Sequence, residues 1–361
     1  MRNQPIYLDY AATTPVHPDV LSAMLPYFTE IFGNAGSSSH LYGWRAAEAV
    51  EQSRNTVASY FQVKPAEVVF TSGATESINL GILGYLQGKP KGHVITSALE
   101  HKAVLEVFHS LENEGWDVTY INEVSELASV FRPDTALVSL MLVNNELGSI
   151  LPYQDVLKLC EARDVCFHSD ATQALGKMEL DLNHLPHLIS FSGHKIYGPK
   201  GIGGLITRKP IQAISYGGGQ ERGLRPGTLP VPLIVGLAKA MELIPEFLSK
   251  SAFYKVSLEK LKSIIPADFL NTPTNSVSSI LNFTLKGADW ERMFQVLNAL
   301  AFSNGSACNA KTELPSHVLI AIGHSDQDAL ASARFSLGYF TTSEEIDVIC
   351  EVLSQKLPQL L

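Results

Sequence analysis

The stretch "HLISFSGHKIYGPKG", residues 187–201, places one lysine after a mostly apolar run and ahead of several glycines. The apolar run is typical of a buried strand. A lysine at the end of such a strand needs an ionic partner or a reaction, because burying an unpaired ammonium is costly. No carboxylate lies beside Lys195 in the sequence. A lysine considered alone is best interpreted as a solvated loop residue. Whether Lys195 has a function therefore depends on the residues in the rest of the chain.

Comparable apolar runs recur along the chain, and helical patterns separate them. The runs are "EVVFTSGATESINLGILGYL" (67–86), "HVITS" (93–97), "DVTYI" (117–121), "TALVSLMLV" (135–143), "VCFHSDATQALG" (165–176) and "GGLIT" (203–207). Strands that alternate with helices predict an α/β domain around a mostly parallel sheet. Ligands of such sheets bind beyond the carboxyl ends of the strands, so we expect the polar residues that follow these runs to lie together.

The pattern changes near Leu243 to a long helix, the strand-like run "SSILNFTLKG" (278–287) and further helices. We predict a large domain over residues 15–245. Residues 1–14 and 246–361 are predicted to form a smaller α+β domain.

The composition of the 361-residue chain limits the possible functions. A net charge of −9 and the lack of a basic run argue against direct binding of nucleic acid. The first residues, "MRNQPIYLDYAATTP", lack the apolar core of a signal peptide, and no apolar window is long enough to cross a bilayer. The four cysteines are too few and too unevenly spread for a disulfide framework. We expect a cytoplasmic protein with no membrane contact and no bound metal.

Several strand ends carry residues suited to a charged cofactor. In "FTSGATES" (70–77), free N–H groups at a helix start, near Ala74, favour a phosphate, and Thr75 adds a hydroxyl. The alternative is an ordinary helix cap by Ser72 or Thr71. "FHSDATQ" (167–173) ends a strand with Asp170, which either caps a helix or holds a cationic ring nitrogen.

These side chains together match the needs of pyridoxal 5'-phosphate (PLP). This cofactor needs a lysine for its aldehyde, an acid for its pyridine nitrogen, a donor for its phenolic oxygen and a phosphate cup. We assign these roles to Lys195 as a Schiff base, to Asp170 and to Gln173. The predicted phosphate donors are Ala74, Thr75, Ser192 and His194. His101 and Asn145 follow other strands and complete the predicted cofactor set.

The chain also resembles the group I cysteine desulfurases, PLP enzymes of the class V aminotransferase superfamily. The segments that carry this resemblance run from Tyr7 to about Thr342. They are "YLDYAATTP", "FGNAGSSSHLYGW", "FTSGATES", "EHKAV", "VNNELG", "HSDATQALG", "SFSGHKIYGPKGIG", "GGGQERGLRPGT", "SNGSACN" and "RFSLGYFTT". The resemblance implies fold type I, with a mostly parallel seven-stranded sheet in the large domain. It also implies a homodimer with shared active sites, in which Thr228 reaches the partner's phosphate.

The resemblance further implies how L-cysteine is handled. Cys308, in the polar loop "SNGSACNAKTEL" (303–314), is the expected nucleophile that takes the substrate sulfur as a persulfide and passes it to a protein acceptor. Lys195 is expected to move protons, and His101 to stack on the cofactor ring and exchange a proton. Arg334 is expected to bind the substrate carboxylate, together with Asn145. Cys160, Cys166 and Cys350 are expected to be packing residues.

Two alternatives share parts of this pattern. A selenocysteine lyase or an aminotransferase of the same superfamily needs Lys195 and Asp170 but does not depend on Cys308. A non-catalytic scaffold paralogue needs none of the three. The pathway that receives the sulfur stays open between iron–sulfur assembly, tRNA thiolation and DNA phosphorothioation.

The chain departs from the usual sequence of the group I cysteine desulfurases in three ways. The proline that usually follows "GN" is missing near Asn34, Pro226 replaces a commoner serine, and the chain stops soon after its last helix.

Overall fold

The computed structural model of the protein describes residues 4–304 and 314–360. The chain divides into two compact units. The smaller unit contains Met1–Thr13, Val143–Ile150 and Glu246–Leu361. The larger unit contains Thr14–Leu142 and Leu151–Pro245. The sequence pattern gave no sign that Val143–Ile150 belong to the smaller unit.

Strands and helices alternate through most of the described chain. The strands are β1 (Ile6–Tyr7), β2 (Val68–Thr71), β3 (His93–Ser97), β4 (Asp117–Ile121), β5 (Thr135–Ser139), β6 (Cys166–Asp170), β7 (Leu188–Ser192), β8 (Gly203–Thr207), β9 (Ile280–Thr284), β10 (Leu300–Ala301) and β11 (Ser332–Ser336). The first helices are α1 (Pro18–Met24), α2 (Pro26–Thr29), α3 (Leu41–Phe61), α4 (Ala74–Leu86), α5 (Lys102–Asn113), α6 (Leu127–Val130) and α7 (Tyr153–Glu161). The later helices are α8 (Val231–Glu242), α9 (Ile244–Leu248), α10 (Ser251–Lys262), α11 (Trp290–Val296), α12 (His317–Ala321), α13 (Asp326–Leu330) and α14 (Ser343–Lys356).

The larger unit is built on a seven-stranded sheet of described residues, in the order β2-β8-β7-β6-β5-β3-β4. Neighbouring strands are parallel except at β8, which is antiparallel to both β2 and β7. The prediction of an α/β domain with a mostly parallel seven-stranded sheet is therefore confirmed. Strands β6 and β7 are buried along their whole length, and the side chains of β7 are all apolar or small.

Apolar faces of helices cover this sheet. Ile78 and Ile82 of α4 share one buried cluster with Val104 and Phe108 of α5. Their spacing of four residues places each pair on one side of its helix. This packing fixes where each helix begins, and therefore where the polar residues between strand and helix lie.

The smaller unit has its own core. Strand β9 pairs antiparallel with β11, and β1 pairs in parallel with β10. Phe283 and Phe335 pack edge to face with ring centroids 5.2 Å apart, within a buried cluster that includes Leu258 of α10 and Ile349 of α14. Within residues 4–304 and 314–360, no helix is both long enough and apolar enough to cross a membrane.

His168, in the middle of the sheet, is fully buried and held by two hydroxyl groups. Its Nδ1 lies 2.8 Å from Ser139 Oγ and its Nε2 lies 3.0 Å from Ser190 Oγ. Burial lowers the pKa of His168 to about 3. The folded protein therefore keeps this imidazole neutral, whereas the unfolded chain protonates it near pH 6.5.

His168 predicts a specific loss of stability in mild acid. Between the folded pKa of about 3 and the unfolded value of 6.5 the unfolded state binds one more proton, so stability falls as the pH falls through this window. The expected contribution is on the order of 1 kcal/mol per pH unit. Urea unfolding at pH 7.5 and pH 5 should show a smaller pH-dependent loss for His168→Gln than for the wild type. Equal losses would contradict this assignment.

Candidate active site

The carboxyl ends of β2, β7 and β6 meet at one edge of the sheet in the larger unit. Asp170, the last residue of β6, is paired with Ser190 of β7. Thr71 of β2 and Ser192 of β7 are both paired with Gly203, the first residue of β8. Lys195 follows β7 in a short 3-10 turn, Gly193–Lys195. The structure thus brings the predicted lysine and the predicted acid to adjacent strand ends.

Hydrogen bonds to Thr14 fix the turn that carries Lys195. The Thr14 N–H and hydroxyl both donate to the His194 carbonyl oxygen at 3.0 Å. The same Thr14 hydroxyl accepts from the Tyr197 N–H at 2.9 Å. Tyr197 has a left-handed backbone (φ 63°), which turns the chain sharply after the lysine. Thr14 therefore holds the backbone on both sides of Lys195, a role that the sequence did not indicate.

His194 lies in a strongly positive environment. Burial, followed by the charges of Lys195, Lys200 and Lys177, lowers the pKa of His194 to about 4. The ring is consequently neutral at neutral pH and offers one N–H donor and one acceptor nitrogen. Such a group suits a phosphate through a neutral hydrogen bond.

Asp170 is buried, and its Oδ1 accepts a hydrogen bond from the Thr172 N–H at 2.8 Å. A second carboxyl group, Glu100, is buried nearby and accepts from the Met141 N–H at 2.5 Å. Burial raises the pKa of Glu100 well above its usual value, and the charge of Asp170 raises it further. The raised pKa favours the neutral form of Glu100, so this second carboxyl group competes less with Asp170 for a cationic ring nitrogen.

Helix α4 begins in a form suited to binding an anion. Its N-cap residue is Gly73, which has no side chain, so the expected alternative of a cap by Ser72 or Thr71 is not what the structure has. The Thr71 hydroxyl lies 2.6 Å from Ser77 Oγ, and the Ser72 N–H donates to Glu76 at 2.5 Å. The N–H groups of the first turn, which includes Ala74 and Thr75, provide the donors of an anion site at a helix start.

Close backbone contact brings Ser192 to the start of helix α4. A Cβ atom on Gly203 would lie 2.4 Å from the Phe191 carbonyl oxygen and 2.7 Å from Gly73 Cα, so only glycine fits there. A Cβ on Gly73 would lie 3.8 Å from Ser192 Oγ. The Ser192 hydroxyl is therefore beside the helix start, as a phosphate donor requires.

Gln173 and His101 are each held by a neighbouring group. Gln173 is buried after β6, and its Oε1 accepts a hydrogen bond from Lys177 Nζ at 2.5 Å. His101 is the N-cap residue of α5, and its Nδ1 accepts from the Ala103 N–H at 3.1 Å. A neutral His101 must then carry its proton on Nε2, which makes that nitrogen a donor.

The predicted substrate arginine lies in the smaller unit. Arg334 is buried on β11, where its Nη2 donates to Asp9 Oδ1 at 2.7 Å and its Nη1 donates to the Asn145 carbonyl oxygen at 2.8 Å. Two bonds from different segments fix the plane of the guanidinium group, which is the group that binds carboxylates bidentately. Asn145 touches Arg334 through its backbone and belongs to this unit.

The segment 217–228 is anchored by a buried ion pair within the larger unit. Both oxygens of Glu221 accept from Arg54, at 2.8 and 2.7 Å, and the Phe70 N–H donates to Glu221 at 2.7 Å. Arg225 donates to Glu76 of α4 at 3.0 Å. These bonds join the segment to β2 and to the start of α4. Thr228, at the end of the segment, is exposed.

The cysteines differ in environment. Cys308 lies outside the described residues. Cys160 and Cys166 are fully buried, and burial raises the pKa of each thiol to about 12, as expected of packing residues. Cys350 is partly buried and packs against the core of the smaller unit.

Comparison with known proteins identifies the family. Residues 6–349 match the family described as aminotransferase class-V. The chain is 45% identical to the cysteine desulfurase IscS of Cronobacter sakazakii over 99% of this chain and 93% of that protein. A solved NifS-like protein superposes with a TM-score of 0.91 at 34% identity, covering 99% of this chain and 100% of the other. The solved structure "SspA in complex with cysteine" superposes with a TM-score of 0.82 at 38% identity, covering 93% and 100%.

The chain therefore belongs to the class V aminotransferases. Within that family it belongs to the PLP-dependent cysteine desulfurases, and the resemblance inferred from the sequence is confirmed.

The residues of the larger unit fit PLP. They provide a lysine and a carboxyl group at adjacent strand ends, a buried amide and a helix start without a capping side chain. The sequence did not indicate three residues of this unit, Thr14, Lys177 and Glu100, nor Asp9, which contacts Arg334 in the smaller unit. Each acts on a predicted residue through a side-chain contact or charge. The glutamine four residues before Lys177 and the glutamate before His101 carry no sequence signal for such a role.

The Arg54–Glu221 pair predicts a large loss of stability when one partner is removed. Glu221→Gln leaves the Arg54 charge buried and poorly paired, since the two side chains are only 4% and 0% exposed. We expect a loss of about 3–5 kcal/mol in the free energy of unfolding, measured with urea.

The matched control for Glu221→Gln is Asp155→Asn, which breaks an exposed ion pair to Lys158. It should change stability little, because exposed pairs are worth little. A Glu221→Gln protein as stable as the control would show that the pair does not anchor segment 217–228.

Proposed function

We propose that this protein converts L-cysteine to L-alanine and transfers the sulfur to Cys308 as a persulfide, which a protein acceptor then takes. In this reaction the carbon–sulfur bond of cysteine breaks and a sulfur–sulfur bond to Cys308 forms. The substrate Cβ keeps the bonding electrons and takes up a proton, which gives the methyl group of alanine. The observation that carries the proposal is the placement of Lys195 and Asp170 at adjacent strand ends.

The residues of the larger unit would hold PLP, which supplies an electron sink for charge that develops at the substrate Cα. Lys195 would bind the cofactor aldehyde and, once displaced by substrate, move protons at Cα. Asp170 would keep the pyridine nitrogen protonated, and the raised pKa of Glu100 supports this because it disfavours a negative charge on the neighbouring carboxyl group. The helix start at Ala74 and Thr75, with Ser192 and His194, would bind the phosphate.

Other residues would bind and process the substrate. Arg334 would take the substrate carboxylate, and Asp9 supports this role because it fixes the guanidinium plane from one side. His101 would stack on the cofactor ring and exchange a proton through Nε2, the nitrogen that its cap hydrogen bond leaves as the donor. Asn145 would supply its side-chain amide. L-cysteine as the substrate is supported by the solved relative whose title names a complex with cysteine.

We also infer a homodimer in which Thr228 serves the partner's phosphate. Between Pro18 and Trp44 the larger unit exposes seven large apolar side chains. They are Leu21, Leu25, Phe28, Phe32, Leu41, Tyr42 and Trp44. Phe32 and Tyr42 contact each other with ring centroids 5.3 Å apart, so part of this surface is continuous. Exposed apolar surface of this kind indicates a protein partner, and a second copy also gives the exposed Thr228 a role.

Replacement of Cys308 tests the sulfur transfer. Cys308→Ser should stay yellow, because the residues assigned to PLP are elsewhere, but it should release almost no alanine or sulfide from L-cysteine. Cys350→Ser is the matched control and should keep most of the activity. Alanine and sulfide are measured together. Normal turnover by Cys308→Ser would identify a lyase or aminotransferase of the same fold, and no turnover by the wild type would favour a scaffold protein.

A pair of complementing variants tests the shared site. Thr228→Ala should lose PLP faster than the wild type on dialysis, and Lys195→Ala should not bind PLP covalently. In a mixed dimer, the intact Thr228 of one chain would serve the intact Lys195 of the other. Co-expressed variants should therefore contain a class of tightly held PLP that neither variant shows alone. Failure to complement, or a fully active monomer by light scattering, would rule out the arrangement.

A further inference from the structure

The contact between Gln173 and Lys177 fixes the direction of the Gln173 amide as well as the positions of the two side chains. Both lie in the turn after β6, where the Leu175 N–H donates to the Ala171 carbonyl oxygen and the Lys177 N–H donates to the Ala174 carbonyl oxygen. The spacing of four residues places the two side chains on one side of this turn. Lys177 Nζ lies 2.5 Å from Gln173 Oε1, and Gln173 is 5% exposed.

The chemistry of lysine decides which end of the Gln173 amide faces it. An ammonium group has three N–H donors and no acceptor. Gln173 must therefore turn its carbonyl oxygen toward Lys177, and its Nε2 then points to the other side. The direction of an amide is assigned from its hydrogen bonds, and here the partner admits one choice. Gln173 consequently presents an N–H donor.

We infer that Lys177 is a positioning residue, which orients the Gln173 amide so that Nε2 donates to the phenolic oxygen of bound PLP. This inference rests on the proposed assignment of the cofactor to the larger unit. A donor stabilises the ionised phenolic oxygen, whereas the reversed amide would point a carbonyl oxygen at it and repel it. The charge on Lys177 also polarises the amide, which strengthens the hydrogen bond that its N–H group makes.

Lys177 has a second, less specific effect, which the test must separate from its contact with Gln173. Its charge acts on His194, together with those of Lys195 and Lys200. Loss of Lys177 therefore also lowers the positive charge near the phosphate site. Lys200 is the matched control, because it is an exposed lysine whose charge acts on His194 in the same way. Lys200→Met removes the same charge without removing the bond to Gln173.

A double-mutant cycle on the purified holoenzyme separates the two effects. The variants are Lys177→Met, Gln173→Ala and their combination, with Lys200→Met as the control and Lys177→Arg as the conservative replacement. Two quantities are measured without cysteine: the rate at which PLP is lost on dialysis, and the pH at which the visible absorbance of bound PLP changes. Neither readout depends on turnover. Non-additive effects in such a cycle report the interaction between the two residues.

We expect Lys177→Met to lose PLP about 10-fold faster than the wild type, the size expected when a hydrogen bond to a charged group is weakened. The pH midpoint of the absorbance change should move upward. In the Gln173→Ala background the same replacement should have an effect of less than about 2-fold, because Lys177 acts through Gln173. Lys177→Arg should resemble the wild type, and Lys200→Met should change PLP loss by less than about 2-fold.

The outcomes distinguish failure of this inference from failure of the proposed function. Additive effects of Lys177→Met and Gln173→Ala, equal effects of Lys177→Met and Lys200→Met, or no effect of Lys177→Met would each overturn the positioning role while PLP binding itself stands. A wild type that binds no PLP would overturn the proposed function first. If Lys177→Met does not fold, Lys177→Gln replaces it. In the Gln173→Ala background, Lys177→Gln should then change the rate of PLP loss by less than about 2-fold.

Discussion

The register between β6 and β7 is the constraint on which the candidate site depends. Because Asp170 is paired with Ser190, the acid at the end of one strand and the lysine turn after the next strand lie side by side. A shift of one residue would turn every side chain of β6 to the opposite face. The fully buried His168, held by hydroxyl groups of both neighbouring strands, adds polar contacts that disfavour such a shift.

The polar residues around this edge of the sheet fix the orientation of the predicted cofactor-binding groups and influence their charge. Thr14 fixes the lysine turn, burial raises the pKa of Glu100 and so disfavours its charge, and Lys177 sets the direction of the Gln173 amide. The close contact between Gly203 and Gly73 allows the start of α4 to lie against Ser192.

The sequence alone predicted the α/β class, the mostly parallel sheet and the strand-end position of Lys195 and Asp170. These features follow from local patterns, since apolar runs mark strands and the residues after them share one edge. It did not predict the Arg54–Glu221 pair or the Asp9–Arg334 pair, whose partners are 167 and 325 residues apart. It also missed the raised pKa of Glu100 and the assignment of Val143–Ile150 to the smaller unit, because both depend on packing between distant segments.

The most direct measurement is the identity of the lysine that binds the cofactor. Purified protein is reduced with borohydride, digested and mapped by mass spectrometry, with Lys200, in the same glycine-rich stretch, as the internal comparison. The account predicts loss of the yellow colour and a reduced PLP adduct on Lys195 alone. An adduct on Lys200 or another lysine, or no adduct at all, would contradict the assignment of the sheet edge between Asp170 and Lys195 as the cofactor site.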